Sequence, residues 1–189
     1  IYSLDLLKAF DNALIKHGIE KYPVHLKLNT GMNRSGLDVG DLTALLEFFQ
    51  AKRHVIIRSM FSHLAGSDEE KHDDYTQWQI DNFVSMTEEV QSHFDYHILR
   101  HILNSAGIER FSRYAFDMVR LGIGLHGISA DGASLRPVSS FKTYIASVRE
   151  VKAEQTVGYG RKGVLKRDSR IAVIPVGYAD GLNRHLSCG

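Results

Sequence analysis

Four short segments of the sequence combine basic, imidazole or hydroxyl side chains with small residues, and each follows an apolar run. Glycine-rich loops with a nearby hydroxyl can bind a phosphate through backbone N–H groups. The candidate residues in the four segments are Lys27 and Arg34, His63, Asn104 and Ser105, and Arg120 with Gly122 and Ile123. If the segments meet in space, Ser105, Gly122 and Ile123 are expected to form a phosphate site.

Alternating helical and strand-like patterns predict how these segments are positioned. Ser3 is a suitable N-cap for a helix ending at Gly18, and apolar spacing predicts helices over residues 42–49 and 74–93. Strands are predicted at residues 24–28, 55–62, 97–103 and 118–123. Parallel neighbours need long connections, so this order predicts a parallel sheet with helical crossovers. Half of a barrel is the economical architecture, and its loops at the carboxyl ends of strands would carry the function.

The pattern changes near residues 131–137, where we place a domain boundary. Residues 139–151 and 171–178 are β-rich, with glycines between them and no clear amphipathic helix. We therefore expect a cofactor-binding partial barrel over residues 1–134 and the N-terminal part of a β domain over residues 135–189.

Composition limits the class of partner. The 189 residues are 43% hydrophobic and 24% charged, which is ordinary for a globular protein. The formal net charge of +1 favours neither nucleic acid nor a membrane surface, so a small molecule or another protein is expected. The single cysteine, Cys188, excludes an internal disulfide and fits a reducing compartment, by default the cytoplasm. No apolar run approaches the roughly 20 residues that span a bilayer.

Several motifs together resemble those of bacterial-type, pyridoxal-phosphate-dependent alanine racemase. The matching barrel segments are residues 25–36 (HLKLNTGMNRSG), 62–65 (SHLA), 104–106 (NSA) and 118–123 (MVRLGI). Residues 157–160 (VGYG) and 177–181 (GYADG) resemble two motifs of the family's β domain. The resemblance implies an α/β fold, namely the C-terminal half of a (β/α)8 TIM-type barrel followed by part of an all-β domain.

The resemblance also implies roles in holding pyridoxal 5'-phosphate. Arg34 would bond the cofactor's phenolic oxygen, and Lys27, often carbamylated in relatives, would hold Arg34 in place. His63 would lie against the pyridine ring, and Arg120 would face the pyridine nitrogen. The phosphate-binding residues implied by the resemblance are Ser105, Gly122 and Ile123, and Asn104 would support them.

A homodimer is implied as well, because the family's active sites are shared between subunits. Tyr159 would be one catalytic base, delivered into the neighbouring subunit's site. Tyr178 would contact the substrate or the phosphate there. The implied substrates are L- and D-alanine, and the implied use is supply of D-alanine for peptidoglycan.

The chemistry of racemisation is consistent with these residues. Arginine does not give up its proton in proteins, so Arg120 would leave the ring nitrogen unprotonated and limit side reactions such as transamination. Racemisation needs a base on each face of a planar intermediate, and Tyr159 could serve one face. A free tyrosine ionises near pH ~10, so a hydrogen-bonded path through His63 towards cationic Arg120 would favour its phenolate.

The chain also departs from the family pattern. None of its lysines matches the Schiff-base lysine near the family's N-terminus, and the C-terminal part of the β domain lies beyond Gly189. We therefore expect a fragment of a longer chain that is inactive alone. Asn29 stands where aspartate is common, and His126 stands where tyrosine is common.

Two other kinds of site fit parts of the sequence. Residues 122–127 fit the G-x-G-x-x-G dinucleotide pattern, but that pattern requires a helix opening at its third glycine, and residues 129–137 are a poor helix. His93, His97 and His101 are four residues apart and would share a metal-binding face on a helix, but a strand is predicted there. No metal is expected.

Ordinary structural roles remain open for each candidate. Lys27 and Arg34 could be solvated charges, His63 a structural histidine, and Ser105 a helix cap, while Tyr159 and Tyr178 could be strand aromatics. At the level of function, the alternatives are a related amino-acid racemase and a non-catalytic cofactor-binding or assembly fragment. A decarboxylase of the same fold is disfavoured, because such enzymes place an acidic residue where this chain has Arg120.

Overall fold

A computed structural model of the chain describes residues 1–51 and 53–186. The chain divides into two compact units, Ile1–Val138 and Ser139–Gly189. Cys188 and the other residues of the terminal Ser-Cys-Gly lie outside the described residues. Within the described part of the chain, no helix has both the length and the apolar character needed to cross a membrane.

The first unit is built on a parallel three-stranded sheet in the order β1-β2-β3. Its strands are β1 (Tyr22–Lys27), β2 (Val55–Phe61) and β3 (Leu99–His101). Its helices are α1 (Leu4–His17), α2 (Leu42–Gln50), α3 (Asp73–Gln91) and α4 (Ser105–Arg110). Helices α2 and α3 are the crossovers between successive strands, so the strand-loop-helix-strand order predicted from the sequence is confirmed.

Local sequence signals account for the ends of the first helix. Ser3 Oγ accepts a hydrogen bond from Leu6 N at 3.3 Å, which satisfies one of the free N–H groups at the start of α1. Gly18 ends α1 in the left-handed conformation at φ 64°, which glycine adopts without steric cost. Both predicted caps are therefore confirmed.

A single apolar core fixes the helices against the sheet. Leu7 of α1, Leu45 of α2 and Phe83 of α3 are fully buried, and they pack with Leu26 and Ile57 of the strands. Removing this apolar surface from water is the main favourable contribution to folding. The core therefore holds the carboxyl ends of the strands, and the loops after them, in a fixed arrangement.

The predicted fourth strand, residues 118–123, is wrong. These residues run beside β3 as irregular chain, and a short 3-10 turn (Ile123–His126) begins within the predicted segment. Asp117 N donates to Arg100 O, and Arg120 N donates to Leu103 O, but no continuous ladder forms along the segment. The third strand is also shorter than predicted, since Leu99–His101 replaces residues 97–103.

The second unit contains two small antiparallel pairs. Strand β4 (Ser147–Val151) pairs with β7 (Ser169–Val173), and β5 (Thr156–Val157) pairs with β6 (Gly163–Val164). The prediction of β structure is confirmed, but the long strands expected at residues 139–151 and 171–178 extend beyond the observed ones. Residues 139–146 are irregular, and a 3-10 turn (Tyr178–Asp180) begins at the end of the second stretch.

Candidate active site

The loops after the strands of the first unit surround one open groove of about 830 Å³. The loop after β2 contributes His63, and the turn into α4 contributes Asn104 and Ser105. The irregular segment beside β3 contributes Arg120, Gly122 and Ile123. Six of the residues predicted from the sequence are thus brought together, at the end of a parallel sheet where barrel proteins bind their ligands.

Arg120 is the centre of the hydrogen-bond network in this groove. Its Nη1 donates to His101 Nδ1 at 2.6 Å, and its Nη2 lies 3.3 Å from His63 Nδ1. The same two nitrogens donate to the backbone carbonyls of Ser62, His101 and Ile102. A planar guanidinium with five donors suits this set of acceptors. Arg120 is therefore fixed in direction although the segment that carries it is not a strand.

His101 is a neutral partner of Arg120. Burial, then the charge of Arg120, lowers its pKa to about 4. Because His101 Nδ1 accepts from Arg120, the ring proton lies on Nε2, which is 3.2 Å from Ser59 Oγ. Ser59 in turn bonds His25 Nδ1. The sequence indicated His101 only as part of a metal-binding face, and its contact with Arg120 was missed.

His63 is also held in its neutral form. Burial is the main cause of its lowered pKa, and the charges of Arg120, Arg34 and Lys27 lower it further. Lys27 and Arg34 therefore lie close enough to His63 for their charges to act on it. The pKa of Lys27 is lowered by burial and then by Arg34 and Arg120. A locally positive field therefore surrounds the groove, which favours an anionic ligand.

The loop between Gly122 and Gly124 is tied to Ser105. Ser105 Oγ accepts from Gly122 N at 2.9 Å and from Gly124 N at 3.0 Å. These bonds use both acceptor positions of the hydroxyl and leave its proton to donate. The helix cap considered as an alternative role for Ser105 is wrong, because Asn104 is the N-cap of α4, and its Oδ1 accepts from Gly107 N at 2.9 Å.

The loop after β1 carries Lys27 and Arg34. Lys27 Nζ donates to Ser35 Oγ at 2.8 Å, on the residue that follows Arg34. That Lys27 holds Arg34 in place stays a prediction. Asn29 Oδ1 accepts from Gly31 N and Asn33 N, which stabilises the turn before Arg34. The exposed guanidinium of Arg34 acts at this site through its charge on Lys27 and His63.

Both tyrosines implicated by the sequence lie in the second unit. Tyr159 is fully exposed, at 101% of its reference surface, and it begins a 3-10 turn after Gly158, whose φ is 82°. Tyr178 is 74% exposed and begins another such turn. Both residues lie in turns outside the short strands, so the alternative role as strand aromatics is wrong.

The dinucleotide and metal alternatives have no support in this geometry. Gly127 ends a short 3-10 turn in the left-handed conformation and opens no helix. His93 bonds its own helix end, His97 bonds Asp117 and His101 bonds Arg120. Among the described residues, no group of three histidine, cysteine or acidic side chains could hold a metal ion.

The parallel sheet with helical crossovers, and a groove formed by the loops at its carboxyl end, define a partial (β/α)8-barrel protein. Two family models identify it further. "Alanine racemase, N-terminal domain" matches residues 1–130, and "Alanine racemase, C-terminal domain" matches residues 138–189. The chain belongs to the alanine racemase family.

Individual relatives agree with this assignment. Alanine racemase 2 of Caldanaerobacter subterraneus subsp. tengcongensis is 38% identical over 174 residues, which cover 89% of this chain and 45% of that protein. The solved alanine racemase of Clostridium difficile 630 is 30% identical with a TM-score of 0.82, over 97% of this chain and 49% of that one. The Bartonella henselae alanine racemase was solved with covalently bound pyridoxal phosphate. It is 27% identical with a TM-score of 0.75, over 98% of this chain and 50% of that one.

The chain matches only part of each of these relatives. The chain spans about half the length of the relatives it matches. The predicted fold class, half of a TIM-type barrel followed by part of a β domain, is confirmed by the two family models and the solved structures.

Proposed function

We propose that this chain forms the cofactor-binding part of a pyridoxal 5'-phosphate-dependent alanine racemase and acts within a longer polypeptide. The observation that carries the proposal is the convergence of Arg120, neutral His63 and the Ser105-bound glycine loop on one groove. Its relatives are alanine racemases, and one was solved with covalently bound pyridoxal phosphate. The proposed substrates are therefore L- and D-alanine.

The residues present fit this cofactor. Among the residues that the structure describes, no acceptor bonds the Ser105 hydroxyl proton, so that proton can be donated to a phosphate oxygen. Gly124 lets the loop lie close to Ser105, since a Cβ there would meet Leu121 at 3.1 Å and Ser105 at 3.4 Å. In the chain, the Ile123 N–H stands between the two N–H groups that Ser105 binds. Arg34 and Lys27 add positive charge to the groove, where Arg34 would bond the phenolic oxygen.

Pyridoxal phosphate supplies electron withdrawal from the α-carbon of a bound amino acid, and the protein selects which reaction occurs there. Arg120 would face the ring nitrogen. Backbone carbonyls and two imidazoles hold its guanidinium in place, and it keeps its own protons. Arg120 would therefore leave the ring nitrogen of a bound cofactor without a proton.

Tyr159 is proposed as the base on one face of the substrate. Since it is fully exposed on the second unit, it is available to a neighbouring subunit, and a homodimer with shared active sites would use it there. His63, whose Nδ1 faces Arg120, would connect that phenol to the cation. Asn104 would support the phosphate side of the groove, and Tyr178 would contact the substrate or phosphate.

The second base would come from outside the chain, because none of its lysines matches the one that holds the cofactor in the family. We therefore infer that the chain alone does not racemise alanine. In a full-length cytoplasmic enzyme, the product would be D-alanine for peptidoglycan.

The test is racemisation of each alanine enantiomer by the full-length polypeptide supplied with pyridoxal phosphate, monitored by circular dichroism. Ser105→Ala removes a charge-assisted hydrogen bond of about 1.5–3 kcal/mol, so half-saturation by the cofactor should need at least roughly ten times more of it. Ser112→Ala, at an exposed position, is the matched control. Absence of alanine racemisation at saturating cofactor would contradict the proposal.

The shared site has its own test. Mixed dimers of an Arg120→Ala chain and a Tyr159→Phe chain contain one intact site, so mixing two inactive variants should restore part of the activity. No recovery, with subunit exchange verified by light scattering of a tagged chain, would count against a tyrosine delivered between subunits.

A further inference from the structure

Gln79 is a buried side chain of α3 that contacts the loop carrying His63. Gln79 is polar but fully buried, and it lies on the same helix as the core residues Ile80 and Phe83. Its Oε1 accepts from Ala65 N at 2.8 Å, and its Nε2 donates to His63 O at 3.2 Å. A single amide group therefore satisfies two backbone groups of the loop, one at His63 and one two residues later.

The same loop is held by other parts of the unit. Ser62 O accepts from Arg120 Nη2, and Ser62 Oγ donates to Leu28 O at 2.8 Å. The segment from Ser62 to Ala65 therefore has three anchors, which are its hydrogen bonds to Leu28 after β1, to Arg120 and to Gln79 of α3. Of these three anchors, only the one from α3 acts on the carbonyl of His63 itself.

Glutamine is chemically specific for this position. The Ala65 N–H needs an acceptor and the His63 carbonyl needs a donor, and a primary amide presents one of each in a fixed plane. A glutamate would place a second acceptor against the carbonyl, and an apolar side chain would leave both groups unsatisfied in a buried place. The orientation of the amide is also fixed, because the opposite assignment would pair donor with donor and acceptor with acceptor.

We propose that Gln79 is the positioning residue that holds His63 against Arg120. It acts on the loop backbone and touches neither substrate nor cofactor. This inference rests on the proposed function and deepens it, because His63 is the residue proposed to connect Tyr159 to Arg120. Loss of Gln79 would let the loop move away from α3, and His63 would leave the positive field of Arg120.

The first experiment follows the imidazole of His63 by NMR in the 189-residue chain, without cofactor. In the parent chain the His63 pKa should lie below its ordinary value. Gln79→Met keeps the size of the side chain and removes both hydrogen bonds, so the His63 pKa should rise towards its ordinary value. Gln77→Met is the matched control, because Gln77 lies on the same helix but bonds Asp81, Arg113 and Tyr114. His63→Gln identifies the signal.

Activity gives the second readout. In the full-length enzyme, misplacing His63 by about 1 Å should lower kcat by up to roughly 10²-fold with a smaller change in KM, since the proton path is affected more than substrate binding. Gln77→Met should leave both constants near those of the parent enzyme. A folded Gln79→Met protein with an unchanged His63 pKa and unchanged kcat would overturn the proposal.

Gln79→Glu keeps the proposal testable if the methionine variant does not fold. Burial should raise the pKa of the new carboxyl, and only its protonated form can donate to His63 O. The ratio of variant to parent kcat should therefore increase as the pH falls. A ratio that is constant with pH would overturn the positioning role.

Failure of this inference can be told apart from failure of the proposed function. If the full-length protein does not racemise alanine, but Gln79→Met still raises the His63 pKa, then the positioning contact stands and the substrate assignment fails. If alanine is racemised equally by the parent and by folded Gln79→Met, the racemase stands and Gln79 has no positioning role.

Discussion

The two units of the chain differ in what fixes their residues. In Ile1–Val138, buried side chains extend from Leu7 to Phe111, and they form one core. In Ser139–Gly189, none of the described residues is buried, and large apolar side chains such as Val148 and Val164 are exposed. The first unit therefore contains its own core, whereas the described part of the second does not.

This difference matches the distribution of the proposed chemistry. Residues that must be held accurately, such as Arg120 and His63, have several fixed partners in the first unit. Accurate placement of a catalytic group depends on such support. Tyr159, in the second unit, is fully exposed, which suits a residue that completes a site elsewhere.

The largest predicted effect is on the free energy of unfolding, compared between a buried residue of the first unit and an exposed residue of the second. Phe83→Ala removes a fully buried ring from the first unit and should lower the free energy of unfolding by about 3–5 kcal/mol. Val164→Ala, at a 62% exposed position, should change it by no more than about 0.5 kcal/mol. Urea unfolding monitored by circular dichroism measures both. Similar losses in the two variants would contradict the contrast between the units.

The next effect is a dependence of stability on pH. The pKa of His101 is about 4 in the folded chain and ordinary in the unfolded one, so acid protonates the unfolded state first. Stability should fall as the pH drops from about 6.5 to about 4, by at most about 3 kcal/mol, and level off below that range.

The control for this prediction is His101→Gln, whose amide oxygen can still accept from Arg120 but does not titrate. The variant should lose less stability over the same pH range. Urea midpoints measured at several pH values give both curves, and parallel curves for the two proteins would contradict the burial of a neutral His101.

The smallest effect concerns the loop that carries Arg34. Asn29 Nδ2 donates to Asp38 Oδ1 at 2.8 Å, so aspartate at position 29 would oppose a carboxylate. Asn29→Asp should destabilise the chain by about 1 kcal/mol, because two like charges at this distance repel by that amount near water. Asp38→Asn in the same chain restores a donor and should recover the loss. Additive effects in this double-mutant cycle would show that the two side chains do not interact.

Much of the fold was predictable because its signals are local. The cap at Ser3, the glycine at the end of α1 and the apolar spacing of α2 and α3 depend on neighbouring residues. The irregular structure of residues 118–123 was not predictable. These residues resemble a strand in composition but make only scattered bonds with β3. Whether such a segment becomes a strand depends on pairing, which the sequence of the segment does not contain.

The candidate site shows the same division between local and long-range signals. Arg120, His63 and Ser105 stand in recognisable motifs, so they were predicted, whereas His101 and Gln79 act through contacts between distant parts of the chain. One signal for Gln79 was present: a polar residue on the buried face of a helix, four positions before Phe83. A buried polar side chain needs partners, and here they are the backbone groups of the His63 loop.

Exchange of the alanine α-proton in heavy water, by the full-length protein and by its Tyr159→Phe variant, tests whether Tyr159 is the base on one face. If the first unit holds the cofactor and Tyr159 serves one face, the parent protein exchanges both enantiomers. The variant should then lose exchange from one enantiomer by roughly 10²–10⁴-fold while largely keeping exchange from the other. Equal loss for both enantiomers, or no loss for either, would contradict a one-face role for Tyr159.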